Sequence, residues 1–210
     1  MKIIEIKALR IPEIKILRFG RFPDNRGYFV EPFRESDFRS TNGISSNFAI
    51  LQCNESYSKP SVIRGLHFQW NPFMGKIVRT LTGRMVDMVV DIRKGSPTFG
   101  KAIAYDMPAD ISKDYAEWIW VPPGFAHGNF FTKESSIEYF CTGEHSPSCE
   151  AGISPLATDI DWSLCDVSLK NEFDTFIKNG PLMSDKDKNG FSLKSWAADA
   201  RSDNFVFGKM

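Results

Sequence analysis

Three histidines occur in the chain: His67, His127 and His145. Histidine is the residue type best suited to exchange a proton near neutral pH, so each is a candidate base. His67 lies in Val62-Ile63-Arg64-Gly65-Leu66-His67-Phe68-Gln69, an alternating run that reads as a strand. On strand parity Ile63, Gly65, His67 and Gln69 share one face, and Arg64, Leu66 and Phe68 the other. A second alternating run, Lys76–Thr82, follows a turn and is placed to pair with the first. A histidine and a lysine on one wall supply a base and a stabiliser of developing negative charge, as proton removal beside a carbonyl requires. Read alone, His67 is more often a hydrogen-bonded structural residue than a catalytic base.

Other chemistries find no support in the residues. The histidines lack the close His/His/Glu spacing of a metal-binding barrel, so no metal is expected. Cys53, Cys141, Cys149 and Cys165 form no C-x-x-C pair and read as free thiols of a reducing compartment. Gly95-Ser96-Pro97-Thr98-Phe99-Gly100-Lys101-Ala102 approaches a P-loop, but Ala102 offers no hydroxyl to magnesium and no helical pattern follows. That segment reads as a hairpin turn. No G-x-G-x-x-G occurs, which argues against a Rossmann-bound nicotinamide.

Further alternating runs surround these residues, at 14–19, 27–33, 49–57, 84–93, 101–107, 118–121, 126–131 and 136–142. Turn signals such as Pro23-Asp24-Asn25 and Pro122-Pro123-Gly124 separate them. Many short strands at roughly 8–12-residue intervals read as a sandwich or small barrel. Helical pattern is confined to 35–40 and 193–200. One domain over 1–210 is expected, with a barrel core at about 14–145 and a C-terminal extension at about 146–210.

Of the 210 residues, 42% are hydrophobic and 25% charged, the mix of an ordinary globular protein. Lys plus Arg and Asp plus Glu each total 26, which argues against a general binder of nucleic acid or anionic membranes. No apolar run approaches the roughly 20 residues that span a bilayer. A cytoplasmic location is the expectation. Aromatics reach 13%, pointing to β structure or aromatic-lined pockets.

Four segments arrive in order: the strand carrying His67; Gly75-Lys76-Ile77-Val78-Arg79; Asp91-Ile92-Arg93-Lys94-Gly95-Ser96-Pro97-Thr98-Phe99-Gly100; and Val121-Pro122-Pro123-Gly124-Phe125-Ala126-His127-Gly128. Together they closely resemble the dTDP-4-dehydrorhamnose 3,5-epimerase family, built on the all-β cupin (jelly-roll) barrel. Asp24-Asn25-Arg26-Gly27-Tyr28-Phe29 is similar to the family's D-x-R-G-x-F, and Leu182-Met183-Ser184-Asp185-Lys186-Asp187 to its L-S-x-K-D.

The resemblance implies roles residue by residue. His67 matches the general base, Asp187 its carboxylate partner, and Lys76 the cation beside the sugar's C4 oxygen. Arg26, Glu31, Gln52, Asn54, Arg64 and His127 match positions of nucleotide-sugar recognition. The family's acid is the Tyr of a Y-K pair. Here the strand reads Ile137-Glu138-Tyr139-Phe140-Cys141-Thr142, so ungapped spacing selects Phe140 and one deletion selects Tyr139. Proton delivery needs a hydroxyl, which favours Tyr139. The family's paired tyrosines against the base appear here as Glu144-His145, leaving His145 to stack on a pyrimidine.

The implied function is inversion at C3 and C5 of a dTDP-4-dehydro-6-deoxyhexose, by a homodimer without cofactor. Inversion at one carbon, a CDP-linked substrate and a non-catalytic sugar-binding module remain alternatives. A base paired with a carboxylate argues against the last.

Overall fold

A computed structural model describes residues 2–41, 44 and 49–209. Two antiparallel sheets face each other. One has the order β1 (Ile3–Ala8), β2 (Lys15–Gly20), β10 (Tyr115–Val121), β7 (Lys76–Thr82), β12 (Ser135–Cys141), β5 (Gln52–Ser58). The other runs β13 (Glu150–Gly152), β6 (Val62–Gln69), β11 (Phe125–Phe131), β8 (Arg84–Asp91), β9 (Ala102–Pro108). A separate hairpin pairs β3 (Phe22–Asp24) with β4 (Gly27–Phe29).

Alternation fills the space between the sheets. Met85, Val89 and Ile103 of the five-stranded sheet meet Ile16, Val78, Ile119 and Ile137 of the six-stranded sheet. The outer faces are covered too. Leu17, Phe19, Trp118 and Trp120 pack beneath Phe33 and Phe38, the latter on α1 (Glu35–Arg39). Val86, Met88, Val90 and Phe130 pack beneath Phe173, Leu193, Trp196 and Phe205. Each fully buried aromatic or aliphatic side chain contributes about 1.5–3 kcal/mol. The aromatic richness of the sequence is therefore spent on two outer layers. It also explains β8, which is buried on both faces, the charged Asp87 and Asp91 included.

The C-terminal layer holds α2 (Val167–Lys178), α3 (Asp185–Lys188) and α4 (Leu193–Ala198). The 12-residue α2 lies outside 35–40 and 193–200, the two stretches where helical pattern is expected. Leu169, Phe173, Phe176 and Ile177 form its inward stripe, and Asp166 caps it by accepting from the Ser168 and Leu169 amides. Two strands also fall outside the 14–145 span expected to hold the barrel: β1, an edge strand beside β2, and β13, which extends the five-stranded sheet beyond β6. Three-residue strands such as β13 are too short to show a period.

The near P-loop is a turn. Asp91 is fully buried and accepts from the Arg93 guanidinium and the Ser96 and Thr98 hydroxyls at 2.6–2.9 Å. Burial pushes its carboxyl up, but these donors outweigh it and hold the group below the usual carboxylate range. Gly95 (φ 80°) and Gly100 (φ 77°) bend the backbone at either end.

Candidate active site

β6 carries His67 on the five-stranded sheet, whereas β7 carries Lys76 on the six-stranded one. The two strands do not pair, contrary to the expectation from sequence. The 70–75 turn crosses between sheets, and β6 pairs with β11 and β13 while β7 pairs with β10 and β12. His67 and Lys76 thus stand on facing walls.

A second departure concerns strand parity. Along β6, His67 opposes His127 and Arg64 opposes Asn129, so three steps on β6 match two on β11. That extra residue is a bulge, and a bulge re-aims side chains. Arg64 and His67, predicted on opposite faces, both line the cavity, while Ile63 and Leu66 both enter the core behind it. Gly65 makes this possible. It has φ 100°, and a Cβ there would lie 2.6 Å from the His127 carbonyl oxygen.

The cavity has a volume of about 500 Å³, adjoined by a lobe of about 480 Å³ that shares His67, Lys76, Tyr139 and Lys186. His67 Nε2 lies 2.6 Å from Asp187 Oδ1. Asp187 sits in the single turn of α3, capped by the Ser184 hydroxyl. Burial raises the Asp187 carboxyl, but His67, Ser184 and the Gly65 amide prevail and hold it below the usual range. An ionised carboxylate fixed on one ring nitrogen sets the tautomer and leaves the other nitrogen to take a proton. Asp187→Asn should therefore slow proton exchange by at least roughly tenfold without unfolding the chain, a smaller loss than the roughly 10²-fold or more of removing the base itself. Exchange rates with a 4-keto sugar, measured beside thermal melts, check this; an unchanged rate would remove Asp187 from the machinery.

The structure separates the two residues between which sequence spacing was ambiguous. Tyr139 points into the cavity from β12. Phe140 points outward, its ring 5.0 Å from Phe33 and 5.2 Å from Trp118, in the aromatic layer over the sheet. Lys76 opposes Cys141 on the β7–β12 ladder, two residues along from Tyr139, so lysine and tyrosine share one wall. Facing sheets stand roughly 10 Å apart, enough to admit a sugar ring between them.

Burial pushes the Lys76 ammonium down, against the raising influence of Cys141, Asp87 and Glu150. Burial pushes the Tyr139 phenol up, keeping it protonated at neutral pH. A reaction needing charged Lys76 is lost as pH rises through that lowered value. The alkaline limb of kcat should accordingly fall below the ordinary lysine range, and Lys76→Arg, which stays charged, should move it upward. A limb unmoved in the arginine variant would assign it to another group.

The remaining expected residues divide. Gln52, Asn54 and His145 line the adjoining lobe, where Gln52 accepts from the His145 amide and donates to Asn54. His127 lines the main cavity but is buried, with Nε2 2.7 Å from Asp87 Oδ2, which also accepts from Asn129. Arg26 and Glu31 do not line the cavity. Arg26 is exposed and paired with Asp24 across the tip of the β3–β4 hairpin, and Glu31 is paired with Arg34. Sequence reasoning missed further residues at the site, Lys186 and Gly152 among them. Lys186 lines both lobes beside Asp187, inside the very segment that identified Asp187. Gly152 of β13 backs the His67 ring, where a Cβ would lie 3.1 Å from Cδ2. Among the described residues, no group of three or more His, Cys, Asp or Glu side chains is arranged to hold a metal ion, and no helix is long and apolar enough to cross a membrane.

Two facing sheets packed on an apolar core, with this cavity opening between them, make a cupin-type jelly-roll barrel. A histidine paired with a carboxylate on one wall and a tyrosine hydroxyl on the other give it groups able to exchange protons on opposite faces of a bound ring. The dTDP-4-dehydrorhamnose 3,5-epimerase family model matches residues 8–195, and the chain belongs to that family. It is 40% identical over 161 residues to the dTDP-4-dehydrorhamnose 3,5-epimerase of Sinorhizobium fredii, covering 74% of this chain and 79% of the relative. The Shigella flexneri enzyme of the same name is 36% identical over 184 residues, covering 86% and 91%. Among solved structures, the Legionella pneumophila dTDP-6-deoxy-D-glucose-3,5-epimerase in complex with dTDP-4-keto-L-rhamnose superposes with a TM-score of 0.77 at 31% identity. That match covers 94% of this chain and 96% of the other.

Proposed function

We propose that the cavity binds a dTDP-linked 4-dehydro-6-deoxyhexose and inverts it at C3 and C5 by removing and returning protons α to the ketone. The observation that carries this reading is the placement of His67–Asp187 and Tyr139 on facing sheets, with Lys76 beside the tyrosine. His67 takes the proton from one face of the ring. The electrons of the broken C–H bond move into an enolate, and the Lys76 ammonium meets the charge on its oxygen. Tyr139 returns a proton from the opposite face, and inversion results. No hydride leaves the sugar, and the carbon skeleton is unchanged.

Arg64 and Lys186 supply cations for the diphosphate, Arg64 through a planar fork suited to phosphate oxygens. Gln52, Asn54 and His145 face the nucleobase from the adjoining lobe. NMR of products from dTDP- and CDP-linked 4-keto sugars tests the assignment. Turnover of the dTDP sugar with inversion at both carbons is expected. Preference for the CDP sugar, or inversion at a single carbon, would select those alternatives instead.

A homodimer completes the reading. Arg26 and Glu31 reach a nucleotide only if a second copy brings its β3–β4 hairpin to the cavity, and that hairpin exposes Phe22, Tyr28 and Phe29. Mixing folded Arg26→Ala and His67→Asn chains should then restore part of the activity that each lacks, because half the sites in a mixed dimer carry neither change. No restoration on subunit exchange would place Arg26 outside the site. A cytoplasmic location belongs to the same proposal, supported by four cysteines that all stand as free thiols.

A further inference from the structure

Lys186 stands where the two lobes of the cavity meet, and its ammonium is held by Glu150 Oε1. Glu150 is on β13 with its side chain 17% exposed, against 54% for Lys186. Its other carboxylate oxygen lies 3.4 Å from His145 Nε2. Burial pushes the Glu150 carboxyl up, but Lys186 and His145 outweigh it, so the group is ionised. Arg64 differs. Its guanidinium donates to the Ser58 hydroxyl at 2.9 Å and the Tyr57 carbonyl at 3.0 Å, both uncharged. Of the two cations assigned to the diphosphate, one is therefore neutralised by a carboxylate and the other is held by neutral acceptors.

We propose that Glu150 is an internal competitor for Lys186: it occupies the ammonium while the cavity is empty and must release it when a diphosphate ester binds. This deepens the nucleotide-sugar reading and rests on it. A carboxylate tethered in the same fold has a high effective concentration, so a small free anion displaces it poorly. A diphosphate ester is placed better. Anchored by one phosphate on Arg64, it presents the second to Lys186 as an intramolecular partner. Glu150 thus sets the affinity for the nucleotide and screens Lys186 from stray phosphate. The pair is partly exposed, so the effect is modest by construction.

Calorimetric titration of dTDP-glucose, which has no 4-ketone and cannot turn over, tests this in the full-length chain. Glu150→Gln should tighten dTDP-glucose by about two- to fivefold, the range of a partly exposed ion pair. Inorganic phosphate, which displaces the carboxylate poorly, should tighten by at least that factor. Both gains should vanish when Glu150→Gln is combined with Lys186→Gln, and thermal melts confirm that each variant is folded. Unchanged or weaker binding in folded Glu150→Gln would overturn the proposal while leaving the nucleotide-sugar reading intact. Gains that persist without Lys186 would overturn it as well. Failure of the wild-type chain to bind dTDP-glucose would remove the nucleotide-sugar reading, and this inference with it.

Discussion

His67→Asn should abolish proton exchange with a 4-keto sugar, lowering it by at least the roughly 10²-fold typical of a general base. The fold should survive. His67 belongs to none of the three buried clusters, its side chain is 31% exposed in the cavity, and asparagine can still meet Asp187. His127 cannot take over, because it is buried against Asp87 and bonded to it. Circular dichroism and deuterium incorporation, measured on the same preparation, check the two halves of this expectation. A folded variant that exchanges near the wild-type rate would show that the base is another group.

Tyr139→Phe should separate two events that the native enzyme couples. His67 remains able to remove a proton and return a solvent-derived one to the same face, so deuterium should enter with retained configuration. The inverted product should fall by at least roughly 10²-fold, the general-acid scale. The size of this effect follows from the geometry of β12. Tyr139 lines the cavity, whereas Phe140 is locked against Phe33 and Trp118 on the outer face. No rotation exchanges them, because adjacent strand residues point to opposite faces. Normal epimer formation by Tyr139→Phe would mean that the second proton comes from elsewhere in the cavity.

Some of this site is legible in the chain and some is not, for physical reasons. β6 and β7 are readable because each alternates over seven or eight residues between turn residues. Whether two consecutive strands pair, or part into opposite sheets, is decided by distant partners that no local pattern encodes. Strand parity likewise predicts Arg64 and His67 apart, and one extra residue at Gly65 reverses that. A glycine inside a strand was the available signal for a bulge. The 167–178 helix was also signalled, by Leu169, Phe173, Phe176 and Ile177 and by the Asp166 cap, but it sits in a stretch that turns polar soon afterwards. Asp187 lies 120 residues from His67, and only its resemblance to a known segment paired them before the structure did. Arg26 and Glu31, matched to the site by resemblance alone, stand outside the cavity of this chain, and no local pattern in the sequence says so.

The proton-transfer chemistry is tested most directly by turnover of dTDP-4-dehydro-6-deoxyglucose in deuterium oxide, with the sugar carbons followed by NMR. Wild-type protein should place deuterium at C3 and C5, the two carbons α to the ketone, with inverted configuration, and none at C2. A folded protein that binds the nucleotide sugar yet exchanges neither hydrogen would contradict the assignment of His67 and Tyr139 as base and acid.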